Sequence, residues 1–255
     1  MKEILISTFF TSLVVLAGSG TVSAQDDGML IIPVEMYACS YNARQDSDDL
    51  DRVTDKWNAW ADARDMNDYA AWTLTPFYFG PEQDFDVIWL GDGKDAVALG
   101  AGQDDYLANN GGIADDFDEV LTCNAHTNFA SVNYKASPEG ATPANSVLTF
   151  SDCKYREGAT FEAVSSAMAE WAQHLSNEGS TTGIWHWYPA YGGGGEEFDF
   201  KWLQAHENLE SLGADYDRYA TGRGFETRGR LLDHLIDCDS SRAYLAQSRR
   251  FVQLR

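Results

Sequence analysis

The sequence lacks the short motifs that would assign it a reaction. It contains no Walker phosphate loop, no Rossmann glycine fingerprint, no G-x-S-x-G elbow and no H-E-x-x-H zinc motif. Its four cysteines include no C-x-x-C pair, which argues against a zinc site or a redox dithiol. Function must therefore be sought in the arrangement of side chains, and the sequence predicts no metal site and names no cofactor.

Basic residues and long apolar runs are also scarce. The chain has 18 Lys and Arg against 40 Asp and Glu, a formal net charge of -22. Nucleic acids and anionic lipids both require a basic surface, so this charge argues against either as a partner. Outside the first residues no segment is apolar and long enough to cross a bilayer, and we predict no membrane span.

The N-terminus has the pattern of a secretory signal. Lys2 precedes an apolar run from Ile4 to Ala17, and the small residues Val22-Ser23-Ala24 follow. Signal peptidase cleaves after such a triplet, so residues 1–24 are predicted to be a signal peptide. A membrane anchor is the alternative, which the shortness of the run disfavours. The mature protein is then expected to be periplasmic or extracellular.

The mature sequence contains an internal repeat. Trp72–Tyr106 aligns without a gap on Trp185–Tyr219, at a constant offset of 113 residues, with 13 of 35 positions identical. The matches include Trp72/Trp185, Pro76/Pro189, Asp86/Asp199, Trp89/Trp202 and Tyr106/Tyr219. A polar segment rich in Pro and Gly separates the copies. We predict a first module at 25–134, a linker at 135–145 and a second module at 146–255.

Each copy has the same order of predicted elements. A strand (33–41 and 146–155) precedes a helix whose apolar residues share one face, and Asp48, Asp49 and Thr160 are its candidate caps. Two alternating strands, a less regular helical region and a last strand (126–134 and 241–251) complete the copy.

The order β-α-β-β-α-β is ferredoxin-like, and two copies in one chain resemble the dimeric α/β-barrel superfamily, fused into a pseudo-dimer. The resemblance implies an α+β fold in which two four-stranded sheets face each other, with helices outside. It also implies a monomer, because duplication supplies the partner. Members include cofactor-free oxygenases, isomerases, haem-dependent enzymes and proteins without known activity, so the fold does not fix the function.

The resemblance also implies how the cysteines pair. In a ferredoxin-like sheet the first and last strands are antiparallel neighbours, and the cysteines lie at the end of one and beside the start of the other. We therefore expect disulfides Cys39–Cys123 and Cys153–Cys238, which an exported chain is free to form.

The faces of the strands suggest a site. Trp72, Trp185, Trp89 and Trp202 are expected to pack under the helices, which leaves the more polar faces to line the barrel. Those faces carry Glu35, Tyr37, Thr73, Thr75, Phe77, Asp86 and Ile88 in the first copy, and Thr149, Ser151, His186, Tyr188, Asp199 and Lys201 in the second.

The copies differ in chemistry on these faces. His186, Tyr188 and Lys201 replace Thr73, Thr75 and Ile88, while Asp199 matches Asp86. We assign His186, Tyr188, Asp199 and Lys201 as candidate catalytic residues, because buried titratable groups can move protons. Glu35, Tyr37, Thr73, Thr75 and Asp86 are assigned to the ligand pocket. The alternative is a satisfied polar network, with Asp199 paired to Lys201 or His186.

The leading functional hypothesis is binding of a small aromatic or apolar organic molecule inside the barrel, with monooxygenase-like or isomerase-like turnover as an extension. One alternative is a structural or protein-interaction module with a filled barrel. Another is a haem-binding protein, which needs an open slot that ends at an axial histidine such as His186 or His126. The cavity volume separates the three.

Overall fold

The computed structural model describes residues 31–137 and 145–252. The predicted signal peptide and most of the predicted linker lie outside these residues. Across this part of the chain, no helix is long and apolar enough to span a membrane.

The first half of the chain forms four strands and three helices. In chain order they are β1 (Ile31–Tyr41), α1 (Ser47–Asp62), β2 (Tyr69–Tyr78), β3 (Val87–Gly93), α2 (Ala96–Asn109), α3 (Ile113–Val120) and β4 (Leu121–Lys135). The less regular helical region is thus two helices, α2 and α3. The cap of α1 is Asp46 rather than Asp48 or Asp49, and the Asp49 side chain completes a capping box with it.

The second half repeats this order with one interruption. Its elements are β5 (Asn145–Tyr155), α4 (Phe161–Asn177), β6 (Gly183–Tyr191), β7 (Phe200–His206), α5 (Leu209–Ala220), α6 (Gly224–Leu232), β8 (Ile236–Cys238) and β9 (Arg242–Arg250). Thr160 caps α4, as predicted. The last strand is split here, because β8 and β9 together occupy the place that the continuous β4 has in the first half.

Eight strands close into an antiparallel barrel. Their order is β7-β6-β4-β1-β3-β2-β9-β5, and β5 pairs with β7 to complete the ring. Each half contributes four adjacent strands in the same relative order. The halves are joined where β4 pairs with β6 and where β2 pairs with β9. The fold is the predicted one: two tandem ferredoxin-like modules that form a pseudo-dimeric α/β barrel.

Apolar clusters lie on both faces of this sheet. Inside the barrel, Val34, Leu74 and Phe129 from the first half pack with Phe150 and Trp187 from the second. Between the sheet and the helices lie separate clusters, one in the second half and two in the first. The helices reach them because their apolar residues recur on one face, for example Leu50, Val53, Trp57 and Trp60 in α1.

Both predicted disulfides are confirmed. Cys39 is bonded to Cys123 and Cys153 to Cys238, with sequence separations of 84 and 85 residues. Each joins neighbouring antiparallel strands, since Cys39 pairs in register with Cys123 and Cys153 with Cys238. On the chain-entropy model, closing loops of this length stabilises the fold by about 4.5 kcal/mol each.

Candidate functional site

The assignment of the two sheet faces requires a correction. Trp72 and Trp185 pack inside the barrel, whereas Trp89 and Trp202 pack under the helices. Because side chains alternate along a strand, most of the predicted site face lies against the helices instead of lining the barrel. The side chains placed there are Glu35, Tyr37, Thr73, His186 and Tyr188. Lys201 and Ile88 do face the barrel interior.

His186 is sealed between the second sheet and its helices. It is fully buried, it stacks on Phe200 with ring centroids 4.3 Å apart, and neither ring nitrogen has a hydrogen-bond partner within residues 31–137 and 145–252. Burial lowers the pKa of His186 to about 3, so the ring is neutral. Tyr188 lies nearby and accepts a hydrogen bond from the Tyr155 hydroxyl at 3.1 Å. Burial raises the pKa of Tyr188 far above its usual range.

Asp86 and Asp199 make the same hydrogen bond in the two halves. Asp86 accepts from the backbone N–H of Tyr41 at 2.9 Å, and Asp199 from that of Tyr155 at 2.6 Å. Both side chains are exposed, and Asp199 does not pair with Lys201 or His186. The repeated acid therefore ties down the end of the first strand in each half.

Glu35 anchors a hydrogen-bond network under α2. Its carboxylate is 5% exposed and accepts from Tyr69 at 2.7 Å and from Gln103 at 2.6 Å. A side chain at Gly91 would collide with the Tyr69 hydroxyl, so this glycine makes room for the contact. His126 Nε2 lies 3.1 Å from Glu35, at the exposed edge of the network.

Three further predicted residues lie near this network or further along β2. Tyr37 stacks on His126 with centroids 3.7 Å apart. Thr73 is buried and accepts a hydrogen bond from Arg249 of β9 at 2.7 Å, which ties the two halves together. Thr75 is exposed. The structure thus does not gather the predicted site residues into one pocket.

A large cavity opens instead at one mouth of the barrel. Its volume is about 770 Å³. Its apolar wall is formed by Met36, Ala38, Phe85, Ile88, Phe150 and Tyr244. Burial is the main cause that raises the pKa of Tyr244, which is therefore a neutral hydroxyl at physiological pH.

Charged side chains form one side of the cavity. Lys201 Nζ lies 2.6 Å from Asp152 Oδ1 and 4.1 Å from the centre of the Phe198 ring. Arg242 bonds to the other oxygen of Asp152 at 3.1 Å and also pairs with Asp239. Two cations and two acids thus meet at this wall, each with its charge matched.

The charged wall belongs to the second half alone. Lys201 and Asp152 face each other across neighbouring strands, and the corresponding pair in the first half is Ile88 and Ala38. All four line the same cavity, so the pseudo-two-fold axis runs along the barrel and each mouth contains residues from both halves.

Asp152 and Arg242 were missed at the sequence level. Asp152 precedes Cys153, and the alternation Phe150-Ser151-Asp152 places it on the interior face once the orientation of β5 is known. The signal in the sequence was the replacement of Ala38 by an acid at the matching position.

A smaller cavity of about 230 Å³ opens at the opposite mouth. It is lined by Trp72, Trp185 and Trp187 and by Leu90, Leu148 and Leu203. Asp92 places a carboxylate in its wall. The middle of the barrel, between the two cavities, is packed by the interior cluster of apolar side chains.

Neither of these two cavities fits haem. His186 is enclosed by aromatic rings and lines neither cavity. The larger cavity has no histidine among the residues that line it, and the smaller one is too small for a porphyrin. No group of three or more His, Cys, Asp or Glu side chains within residues 31–137 and 145–252 is placed to hold a metal ion.

Comparisons with known proteins agree on the fold. A candidate monooxygenase from Lactobacillus acidophilus NCFM aligns with a TM-score of 0.54 and 11% identity, over 88% of this chain and 96% of that one. A chlorite dismutase candidate aligns with a TM-score of 0.50 and 12% identity over the same shares. A haem-binding protein from Thermus thermophilus aligns with a TM-score of 0.50 and 10% identity, over 87% and 92%.

The sequence matches no model of a known protein family and no curated protein. The structural likeness identifies the dimeric α/β-barrel fold, here as an internally duplicated pseudo-dimer. At these identities it shows the fold alone.

Proposed function

We propose that this protein is exported, acts as a monomer, and binds a small organic molecule with an aromatic or apolar body in the larger barrel mouth. The observation that carries the proposal is the cavity of about 770 Å³, whose aromatic wall faces the Lys201–Asp152 pair. Concave sites of this size, mainly apolar with a few placed polar groups, are typical of small-molecule binding.

The two walls suggest how the ligand lies. Phe150, Phe85 and Tyr244 supply flat apolar surface for a ring or an aliphatic body. Lys201, Arg242 and Asp152 supply both donors and acceptors for a polar head group. The positive and negative charges at this wall already balance each other. We therefore expect the head group of the ligand to be a hydrogen-bonding group that is uncharged or singly charged.

The alternative, a structural or protein-interaction module with a filled barrel, fits less well, because the larger mouth retains volume for a ligand.

Turnover of the monooxygenase or isomerase kind would need a group that moves a proton at the bound molecule. Lys201 and Asp152 are the candidates for that role, whereas His186 and Tyr188 are enclosed on the other face of the sheet. Export is supported by the sequence of residues 1–24 and by the two disulfides.

Native mass spectrometry of the folded protein purified from its own host tests the proposal. We expect a small non-covalent adduct in the wild type and its loss in Ala38→Trp, because the new indole would occupy the cavity. Ala108→Trp, on the exposed surface of α2, is the matched control and should keep the adduct.

A fluorescent probe supplies the second measurement. Anilinonaphthalene sulfonate has an aromatic body and one anionic group, and it should bind the wild type and Ala108→Trp equally but Ala38→Trp at least tenfold more weakly. If Ala38→Trp bound both the adduct and the probe as well as the wild type does, the assignment of the ligand to this cavity would be refuted.

A further inference from the structure

The smaller cavity has a chemistry of its own. Trp72 and Trp185 occupy corresponding positions in the two halves, and both rings line it together with that of Trp187. A side chain at Gly183 would collide with the Trp185 ring. The glycine therefore makes room for this ring beside the mouth of the cavity. Three indoles from two strands therefore form an aromatic wall around about 230 Å³.

Asp92 places a carboxylate in the same cavity. It follows Leu90 by two residues on β3, so alternation directs it to the barrel interior. Its Oδ1 atom is buried and has no hydrogen-bond partner among the described residues. The corresponding residue of the second half is Ala205, which also lines the cavity, so Asp92 has no counterpart there.

Acids outnumber bases among the described residues that line this cavity. Its titratable side chains, within the described ranges, are Asp92, Glu207 and His206, and it includes no Lys or Arg. His206 Nδ1 is already engaged, at 2.9 Å from Thr182 Oγ1 and 3.3 Å from Asp215. A carboxylate oxygen that is buried without a partner, such as Oδ1 of the partly buried Asp92, costs free energy unless a cation or a donor binds to it.

We propose that the cavity bounded by Asp92, Trp72, Trp185 and Trp187 binds a small organic ammonium ion. Indole faces attract ammonium groups through the ring quadrupole, and tryptophan does so most strongly among the aromatic residues. Asp92 would supply the opposite charge, while Leu90 and Leu203 would contact the carbon substituents. This site is separate from the larger mouth, since the two cavities share no lining residue.

Asp92 also makes the binding depend on pH. Burial raises the pKa of Asp92 to about 7, so the free protein holds much of it protonated at neutral pH. An ammonium ion binds the ionised form, and its affinity should therefore rise as the pH increases through 7.

Choline is the probe, and its neutral carbon isostere dimethylbutanol is the control ligand. Tryptophan fluorescence and isothermal titration calorimetry should show choline bound at least tenfold more tightly than the isostere, and more tightly at pH 8.5 than at pH 5.5. Asp92→Asn should weaken choline binding at least tenfold and remove most of this pH dependence. Asp104→Asn, an exposed acid on α2, is the matched control and should change neither.

A second variant guards against a folding artefact. Ala205→Trp should abolish choline binding by filling the cavity, while circular dichroism shows the folded spectrum. Equal affinity for choline and dimethylbutanol would overturn the proposal. So would unchanged choline binding in Asp92→Asn or in Ala205→Trp, or a pH dependence that persists in Asp92→Asn.

Discussion

Lys201 pairs with Asp152 across neighbouring strands at a Nζ–Oδ1 distance of 2.6 Å, at the two positions where the other half of the barrel has Ile88 and Ala38. The Lys201 side chain is 15% exposed and that of Asp152 28%. A charge pair has thus replaced an apolar pair in one wall of the larger cavity, and this is the clearest chemical difference between the halves.

The first prediction concerns the strength of this pair. Asp152→Asn should destabilise the fold by about 1–3 kcal/mol, because it leaves Lys201 partly buried with its acceptor neutralised and removes one of the two acidic partners of Arg242. Lys201→Met should cost less. In a double-mutant cycle by chemical denaturation we expect a coupling of about 1–2 kcal/mol.

A matched pair on the surface provides the control. Lys56 and Asp116 lie 2.7 Å apart, but the Lys56 side chain is 58% exposed. The cycle of Lys56→Met with Asp116→Asn should give a coupling below about 0.5 kcal/mol. If the Lys201–Asp152 coupling were no larger than this, the pair would be an ordinary surface contact.

The second prediction compares the repeated acids. Asp86→Ala and Asp199→Ala should each destabilise the protein by about 1 kcal/mol, and by similar amounts, because each removes one hydrogen bond to a strand N–H. Asp84→Ala, an exposed neighbour, should stay within about 0.5 kcal/mol of the wild type. A much larger effect at Asp199 alone would restore its predicted partnership with a buried group of the second half.

The fold could be predicted from the sequence because several independent features of the sequence indicate it. The constant offset between Trp72 and Trp185, the order of elements and the equivalent cysteines all indicate the same duplicated module. Each observation limits the topology independently. The disulfide pairing followed once the strand order was given.

The site could not be predicted to the same extent, because alternation separates the faces of a strand without saying which one faces the barrel. Here both faces are apolar enough to be buried, with Trp72 inside the barrel and Trp89 under the helices. The polar residues on the helix side are compatible with burial because distant residues satisfy them: Gln103 binds Glu35, and Arg249 binds Thr73. Those partners are 68 and 176 residues away in the sequence.

The third prediction tests whether the halves depend on each other. Residues 25–140 expressed alone should dimerise or aggregate, because they would expose the interior face of their sheet and the open edges of β2 and β4. Residues 25–255 are the control and should sediment as a monomer. A folded, monomeric half in sedimentation velocity would show that the shared barrel is not required for the stability of the module.

The fourth prediction concerns acid stability and His186. The pKa of this buried ring is about 3 in the folded protein and that of an unperturbed histidine is about 6.5, so the unfolded chain binds more protons between these values. Stability is therefore retained above pH 6.5 and lost as the pH falls, by about 2 kcal/mol at pH 5.

His186→Phe keeps an aromatic ring against Phe200 and removes two nitrogens that have no partner among the described residues. Denaturation at pH 8 and pH 5 should show a smaller acid loss in this variant than in the wild type. The exposed control His234→Gln should show the wild-type loss. An unchanged pH dependence in His186→Phe would mean that other groups cause the acid sensitivity.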